Sequence, residues 1–326
     1  MTLPKFFPFT AVVVFCLASV AAAQQDQTPA PTQAVLAGKL IDVRTGKARQ
    51  RAYILIAGDR IQSIADSAPV GIPITDLSAY TVLPGLIDAH AHTLSNPTTQ
   101  SIAAEVRTSI PQSTIWGVYN LRLWLDHGFT SLRDACEGPA DYPQFALRES
   151  VKRGIILGPR ITAAGSCVSL TGGHGDGTPF SPDMELPRRP NVADTVDDIA
   201  HVVRRDIKYG ADWIKLMASG GVMDPISDFH VQELSEAQMA AAVEIAHRAG
   251  KKVMAHAEGA AGIKAAVRAG LERRRPHRLT AAGRPWLLRD DEDVGRRRYK
   301  SSGRSIRVVG NAVGTARARA TARTAY

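Results

Sequence analysis

Between residues 81 and 270, the apolar and polar positions alternate between the pattern of a β-strand and the pattern of an α-helix. Short apolar runs of strand length are each followed by a segment with apolar residues at helical spacing, which ends at a glycine. The predicted strands cover residues 81–92, 129–135, 160–168, 211–221 and 251–259. The predicted helices cover residues 114–128, 142–154, 195–210, 234–250 and 262–270. Strands that alternate with helices in this way predict a parallel sheet.

Two of the predicted helices carry strong start signals. Thr195 is followed three residues later by Asp198, and Ser235 is followed by Gln238, which is the spacing of a capping box. Gly210 is typical of a left-handed helix end. Because candidate polar residues stand at strand ends, we expect an α/β fold of the (β/α)8 TIM-barrel type, here incomplete with about five strands, rather than an open doubly wound sheet.

The residues before this region predict a smaller unit. Turn signals such as DVRTGKA and AGDR break residues 34–80 into short apolar runs, which indicates a small β-domain. Residues 1–23 have the pattern of a secretory signal peptide, and residues 24–33 form a linker rich in Pro, Gln and Thr. An uncleaved anchor is the alternative for the first segment. We therefore expect a periplasmic or secreted protein with no membrane contact after signal cleavage.

The net charge of +9 is concentrated at one end of the chain. Residues 272–326 contain fourteen arginines and one lysine against five acids, a sum of +10, so the other residues sum to −1. A sixth strand is due after Gly270, but LERRRPHRLT places three consecutive arginines and a proline there. Neither suits a buried parallel strand. We interpret residues 271–326 as an Arg-rich tail outside the ancestral reading frame, which leaves the barrel truncated.

Histidines stand at the ends of two predicted strands. In LPGLIDAHAH, His90 and His92 point the same way as Asp88, because strand side chains alternate between faces. His256 ends the apolar strand of VMAHAEG and would add a third imidazole at the same edge. Imidazoles are preferred ligands of zinc-type ions, so the pattern favours a metal site over polar residues that merely line a sheet edge.

Lys215 is a lysine inside the apolar strand DWIKLMA. The simpler interpretation is a side chain that reaches solvent from the sheet edge. The functional interpretation requires a neutral amine in a dry site, which reacts with carbon dioxide to give a carbamate able to bridge two metal ions.

Other residues leave alternatives open. His174, in the Gly-rich loop SLTGGHGDG, is either a substrate contact or an incidental histidine of a loop. Cys136 and Cys167, near the ends of neighbouring predicted strands, are either a disulfide or two core residues. We interpret the histidines at positions 127, 201, 230 and 247 as surface residues.

The segments PGLIDAHAH, WIKLMASGG and KVMAHAEGAAGIKAAVRAG, in this order, resemble the metal-dependent amidohydrolase superfamily. The resemblance is to its imidazolonepropionase-like and Xaa-Pro or Xaa-Arg dipeptidase branch. It implies a β-sandwich domain at residues 34–80 beside a TIM barrel at residues 81–270 with one or two zinc ions. It also implies that His90 and His92 bind the first metal, that a carboxylated Lys215 bridges both metals, and that His256 binds the second.

The implied reaction is cleavage of the C–N bond of dipeptides or N-acyl amino acids by a metal-bound hydroxide, with an imidazolonepropionase-like cyclic amide as the alternative substrate. The family's metal-binding histidine after the sixth strand is missing, because Pro276 takes its place and His277 is one residue off. The family's aspartate after the eighth strand has no counterpart, since the aspartates at positions 290, 291 and 293 follow no recognisable strand. No catalytic residue is therefore assigned, and we expect a poorly stable chain with weak or no activity.

A second class of function is a non-catalytic exported binding protein whose basic tail contacts nucleic acid or anionic lipid. Export argues against nucleic acid, and the tail lacks interleaved aromatic residues and a periodic basic face. We therefore expect a small-molecule or dipeptide-like amide substrate and no nucleic-acid partner.

Overall fold

The computed structural model describes residues 29–271 apart from 97, 99–106, 139–140, 178–179, 182, 185–187, 223 and 225. The predicted signal peptide, the first half of the linker and the tail from residue 272 onward, with Pro276, His277 and the three aspartates named above, lie outside the described residues. The strands are β1 (Gln33–Ile41), β2 (Ala48–Ala57), β3 (Arg60–Ala65), β4 (Ile74–Val82), β5 (Leu86–Ala91), β6 (Phe129–Asp134), β7 (Arg160–Val168), β8 (Trp213–Met217) and β9 (Lys252–His256). The helices are α1 (Ile110–Asp126), α2 (Pro143–Lys152), α3 (Val196–Tyr209), α4 (Glu236–Arg248) and α5 (Ala260–Arg268). None of these helices has the length and apolar character that a membrane span requires.

The chain first forms a four-stranded sheet with the strand order β3-β2-β1-β4. β1 pairs antiparallel with β2 and parallel with β4, and β2 pairs antiparallel with β3. Buried apolar side chains form its small core (Val35, Ala37, Leu40, Ala52 and Ile54). The only other sheet among the described residues is the parallel sheet that follows, so the predicted β-sandwich is not confirmed. The domain boundary at residue 80 stays a prediction.

The first strand of the parallel sheet begins later than predicted. The sequence predicted one strand over residues 81–92, but residues 81 and 82 end β4, and β5 begins at Leu86. Pro84 lacks the N–H group that a strand ladder needs. Gly85 packs so closely on Thr130 that a Cβ atom would collide with the threonine side chain. These two residues separate the sheets.

Within the described part of the chain, the second sheet consists of five parallel strands in chain order, β5-β6-β7-β8-β9. A doubly wound sheet reverses its strand order at a switch point, whereas a barrel adds each new strand on the same side of the previous one. The observed order therefore fits an incomplete TIM barrel, of which the described residues supply five strands. Apolar side chains of this sheet and of the helices around it form the main core.

Two helices begin at the capping boxes that the sequence predicted. The Thr195 side chain accepts a hydrogen bond from the Asp198 backbone N–H, and the Asp198 side chain accepts one from the Thr195 backbone. Ser235 and Gln238 make the same reciprocal pair at the start of α4. Gly210 ends α3 with a φ of 105°, in the left-handed region that glycine tolerates best.

A disulfide joins the ends of two neighbouring strands. Cys136 follows β6, Cys167 lies near the end of β7, and their Cα atoms are 5.2 Å apart. Of the two alternatives that the sequence left open for these cysteines, the structure therefore shows the paired one.

Candidate active site

Apart from Lys215, the predicted site residues lie near the carboxyl ends of the parallel strands or directly after them. His90 is near the end of β5, Lys215 is in the middle of β8, and His256 is the last residue of β9. His92 follows β5, and His174 lies in the loop after β7. In barrels of this type, the carboxyl ends of the strands and the loops after them carry the chemistry.

Lys215 is buried inside the sheet, with only 1% of its surface exposed. Its Nζ atom lies 3.4 Å from His90 Nε2. Burial lowers the pKa of Lys215 to about 8, and the nearby Arg133 guanidinium lowers it further while the Asp134 carboxylate opposes the shift. The sequence alternative of a lysine that reaches solvent is therefore wrong, because the strand places the side chain in the interior. A lysine with this pKa has a much larger neutral fraction at pH 7 than a solvated lysine.

His90 and His92 lie side by side, with ring centroids 5.4 Å apart. Although His90 retains access to solvent, partial burial lowers its pKa to about 4, and the positive charge of Lys215 adds to that effect. His92 Nδ1 lies 2.8 Å from the backbone carbonyl oxygen of Cys136. A carbonyl oxygen can only accept, so Nδ1 carries the proton and Nε2 keeps its lone pair when the ring is neutral. The lowered pKa therefore favours the neutral form of His90, which can bind a metal, and the hydrogen bond of His92 leaves Nε2 as its possible donor atom.

His256 and His174 form a second pair, with ring centroids 4.5 Å apart. His256 Nε2 donates to the Gly220 carbonyl oxygen at 3.1 Å, which leaves Nδ1 as the nitrogen with the lone pair. Partial burial lowers the pKa of His256, and the charges of His174 and Lys215 lower it further. Since Lys215 lowers the pKa of His90 as well, the two histidines share one electrostatic neighbourhood.

The loop that carries His174 is held by two carboxylates. His174 Nδ1 lies 3.0 Å from Asp224 Oδ2, and the His174 backbone N–H donates to Glu233 Oε1 at 2.8 Å. Gly221 packs against the imidazole ring so closely that a Cβ atom would overlap it. The loop is therefore attached to the neighbouring β8–α4 loop, and the interpretation of His174 as an incidental residue of a free loop does not fit these contacts.

Two buried carboxyl groups behind the first histidine pair were missed by the sequence analysis. Thr93 Oγ1 lies 2.6 Å from Asp134 Oδ2 and 3.1 Å from Glu137 Oε1, and the Leu94 backbone N–H donates to Glu137 Oε1. Burial raises the pKa of Glu137, and the adjacent Asp134 carboxylate raises it further. Asp134 is the last residue of its strand, as His256 is, and that position was the signal that could have identified it.

The imidazole nitrogens at the carboxyl ends of these strands are suitable ligands for a divalent metal ion. His92 and His256 each have one ring nitrogen bonded to a backbone carbonyl, which is how proteins orient metal-binding imidazoles. Among the described residues, no three His, Cys, Asp or Glu side chains are close enough to hold a metal by themselves. Lys215 is the other side chain at these strand ends whose nitrogen faces one of the imidazoles, that of His90 at 3.4 Å.

The remaining histidines are surface residues, as predicted. His127, His201, His230 and His247 are all exposed. A cavity of about 310 Å³ beside α3 is lined by Arg188, Arg189, Pro190, Val192, Asp198, His201, Val202 and Arg205, and it contains none of the predicted site residues.

Comparison with known proteins identifies the chain. The amidohydrolase family profile matches residues 81–294, which is more than half of the chain. This chain belongs to the amidohydrolase family. The resemblance that the sequence indicated is thereby confirmed, and the parallel sheet is the amidohydrolase barrel in incomplete form.

Proteins similar to this chain include an ochratoxinase, a Xaa-Pro dipeptidase and a prolidase. Ochratoxinase from Aspergillus niger is 31% identical over 214 residues, which are 58% of this chain and 42% of that protein. The structure of a Xaa-Pro dipeptidase with bound methionine superposes with a TM-score of 0.67 at 29% identity, over 74% of this chain and 60% of the dipeptidase. A prolidase in complex with N-methylphosphonate-L-proline gives a TM-score of 0.64 at 33% identity, over 73% of this chain and 59% of the prolidase. This amidohydrolase chain therefore spans less than two thirds of the length of each of these relatives.

Proposed function

We propose that this protein is a metal-dependent hydrolase that cleaves the amide bond of dipeptides or N-acyl amino acids. One observation carries the proposal: Lys215 is buried in a parallel strand, and its amine faces His90 at 3.4 Å. Within the described residues, no carboxylate lies within ion-pair distance of this amine. Burying a lysine without a carboxylate at ion-pair distance costs stability, so a functional use of the amine explains its presence better than a structural one.

The proposed metal ligands are His90, His92, Lys215 and His256, and zinc is the proposed metal because imidazole is its common ligand. The site would hold one or two divalent ions, with Lys215 as the bridging donor. A bound ion of this kind supplies an activated water at neutral pH and polarises the carbonyl of the substrate.

Lys215 would become an anionic oxygen donor only after its charge has been reversed. The neutral amine attacks carbon dioxide, a new N–C bond forms, and the amine releases one proton to solvent, which leaves an anionic carbamate. Because burial lowers the pKa of Lys215 to about 8, the reactive neutral amine is already accessible near neutral pH. The neighbouring His90 and Arg133 would then face an anion in place of a cation.

His174 is the proposed substrate contact. Its Nδ1 faces Asp224, so Nε2 is the ring nitrogen that remains for a substrate carbonyl or carboxylate. The amino-acid ligands in the dipeptidase and prolidase structures support a substrate that contains an amino-acid unit. The same fixed loop would exclude water from one side of the site.

The proposal is tested by hydrolysis assays on the purified chain with zinc and bicarbonate, using mass spectrometry to detect products from dipeptides ending in proline and from N-acyl amino acids. We expect weak but measurable release of the free amino acid, and roughly a 100-fold loss in Lys215→Ala. A short carboxylic acid should restore part of the activity to Lys215→Ala, because it can occupy the place of the carbamate. The matched control is Lys264→Ala, which removes an exposed lysine of α5. Equal activity in the wild type and in Lys215→Ala would contradict the proposal, and product formation only from cyclic amides would favour the alternative substrate.

A further inference from the structure

The disulfide lies directly beside the proposed metal ligands. Cys136 is fully buried, and its backbone carbonyl is the acceptor for His92 Nδ1 at 2.8 Å. This hydrogen bond decides which nitrogen of His92 is free. The atom that orients His92 therefore belongs to a residue of the disulfide.

The backbone of Cys136 adopts a conformation that it would rarely adopt without support. Its φ is 146°, which is uncommon for a residue other than glycine. Such conformations persist where the surrounding structure constrains them from several sides. One constraint on Cys136 is its disulfide to Cys167. The residues on either side are also held, because the Ala135 N–H donates to the Ala91 carbonyl oxygen at 2.8 Å and Glu137 forms a parallel β-bridge with Ser166.

Cys167, the other cysteine of the disulfide, lies on β7, which is the strand next to the one that carries Lys215. Cys167 is the direct register partner of Lys215 in the β7–β8 ladder. One covalent link therefore connects the residue that orients His92 with the strand that positions the buried amine. The proposed donors lie on or just after β5, β8 and β9. The disulfide links the residues that follow β6 to the end of β7, and β6 and β7 are the two strands between β5 and β8.

We propose that the Cys136–Cys167 disulfide is a positioning element of the metal centre, because it holds the Cys136 carbonyl where that carbonyl fixes the Nδ1–H tautomer of His92. The effect on metal affinity rests on the proposed function, whereas the hydrogen bond between His92 and the Cys136 carbonyl does not depend on a metal. When the disulfide is opened, residue 136 relaxes from its left-handed conformation and the carbonyl leaves His92. The affinity for the first metal then falls about 10- to 100-fold, which is the usual effect of losing such an orienting partner.

The first experiment follows the His92 ring by long-range ¹H–¹⁵N NMR of the metal-free chain before and after reduction. A phosphine reductant supplies two electrons and takes oxygen from water to become its oxide, while the two protons end on the thiols. His127 is the internal control, because its Nδ1 also contacts a backbone carbonyl, that of Leu123 at 2.8 Å, and because it precedes β6 while Cys136 follows the other end of that strand. We expect the His92 pattern to change from a fixed Nδ1–H tautomer to a mixture, while the His127 pattern stays the same.

Two results of this experiment would overturn the proposal. One is a His92 tautomer that survives complete reduction. The other is loss of the His127 pattern together with that of His92, because it would show general unfolding instead of a local effect. Cys167→Ala provides a second route that leaves residue 136 itself unchanged, and it should reproduce the pattern of the reduced wild type.

The second experiment measures zinc affinity by competition with a chelating dye for the oxidised chain, the reduced chain and Cys167→Ala. We expect the dissociation constant to rise about 10- to 100-fold on reduction and in Cys167→Ala. Equal affinity in all three forms would contradict the positioning role. Absence of zinc binding in all three forms would contradict the proposed function instead, and the NMR result would then decide the positioning role alone.

Discussion

Lys215 places an ionisable amine in the interior of the protein, so the stability of the folded chain depends on pH. Its pKa is about 8 in the folded chain against 10.5 for a solvated lysine. Between these values the unfolded state binds more protons than the folded state, so the stability of the metal-free protein rises with pH. Below pH 8 both states are charged, and the whole cost of burying the charge is present.

We expect Lys215→Met to raise the free energy of unfolding at pH 7 by up to about 3 kcal/mol, because methionine fills similar space without a charge to desolvate. The difference between the variant and the wild type should vanish as the pH rises from about 8 to 10.5. Urea unfolding in buffers depleted of carbon dioxide, followed by tryptophan fluorescence, measures both quantities. A difference that stays constant across this pH range would show that the lysine is not buried in charged form.

The Thr93 hydroxyl lies at hydrogen-bond distance from two buried carboxyl groups, and removing it tests how much these contacts stabilise the fold. In Thr93→Val, Asp134 and Glu137 both lose a polar neighbour in the interior, which should lower the free energy of unfolding by about 1–3 kcal/mol. Thr93→Ser keeps the hydroxyl and is the matched control. If thermal unfolding shows the two variants to be equally stable, the hydroxyl contributes nothing to this cluster.

Helices α3 and α4 could be predicted because their signals are local. A capping box needs only residues within four positions of one another, and Ser235 with Gln238 supplied both halves. The start of β5 was mispredicted because two strands of different sheets meet across Pro84 and Gly85, with no change in hydrophobicity between them. The parallel order of β5 to β9 followed from the strand–helix alternation, which is also a local pattern.

The contribution of the α4 cap can be measured directly. Ser235→Ala removes the side chain that accepts from the Gln238 backbone, so we expect a loss of about 1 kcal/mol in the free energy of unfolding. Ser235→Asp keeps an acceptor at the same position and should remain close to the wild type. Equal losses in both variants would indicate that the serine matters for packing and not as a cap.

The site was only partly predictable because its contacts are long-range. His90, His92 and His256 were proposed from their positions at or near strand ends, and Lys215 because it is a lysine inside an apolar strand. The Cys136 carbonyl that orients His92 and the carboxyl groups of Asp134 and Glu137 were not, since only the fold brings these groups together. Burial of Lys215 could not be decided from its strand alone, because the same pattern fits a lysine at a sheet edge.

Among the described residues, β5, the edge strand of the parallel sheet, and the helix α1 that follows it both expose apolar side chains. Ile87 of β5 is 67% exposed, and α1 exposes Ile115, Val118, Tyr119 and Leu123. In a closed barrel, a further strand and helix would cover this edge. We therefore expect the purified chain to associate in proportion to its concentration.

Charged substitutions on this edge should reduce association. Ile87→Lys combined with Ile115→Glu should shift the sedimentation profile toward the monomer, because both side chains are exposed and neither contributes to the core. Val70→Lys is the matched control, since Val70 is also an exposed apolar residue, at 96%, but lies between β3 and β4 of the other sheet. An unchanged profile in the double variant would show that this edge does not drive association.

Zinc content is the most direct test of the central claim, that imidazoles at the ends of β5 and β9 and the buried amine of β8 together hold a metal. The measurement is elemental analysis of the oxidised chain after equilibrium dialysis against buffered zinc and bicarbonate. We predict one or two zinc ions per wild-type chain, almost none when His90 and His92 are both changed to alanine, and the full amount in the surface control His201→Ala. Zinc bound equally by all three proteins, or by none of them, would contradict the account.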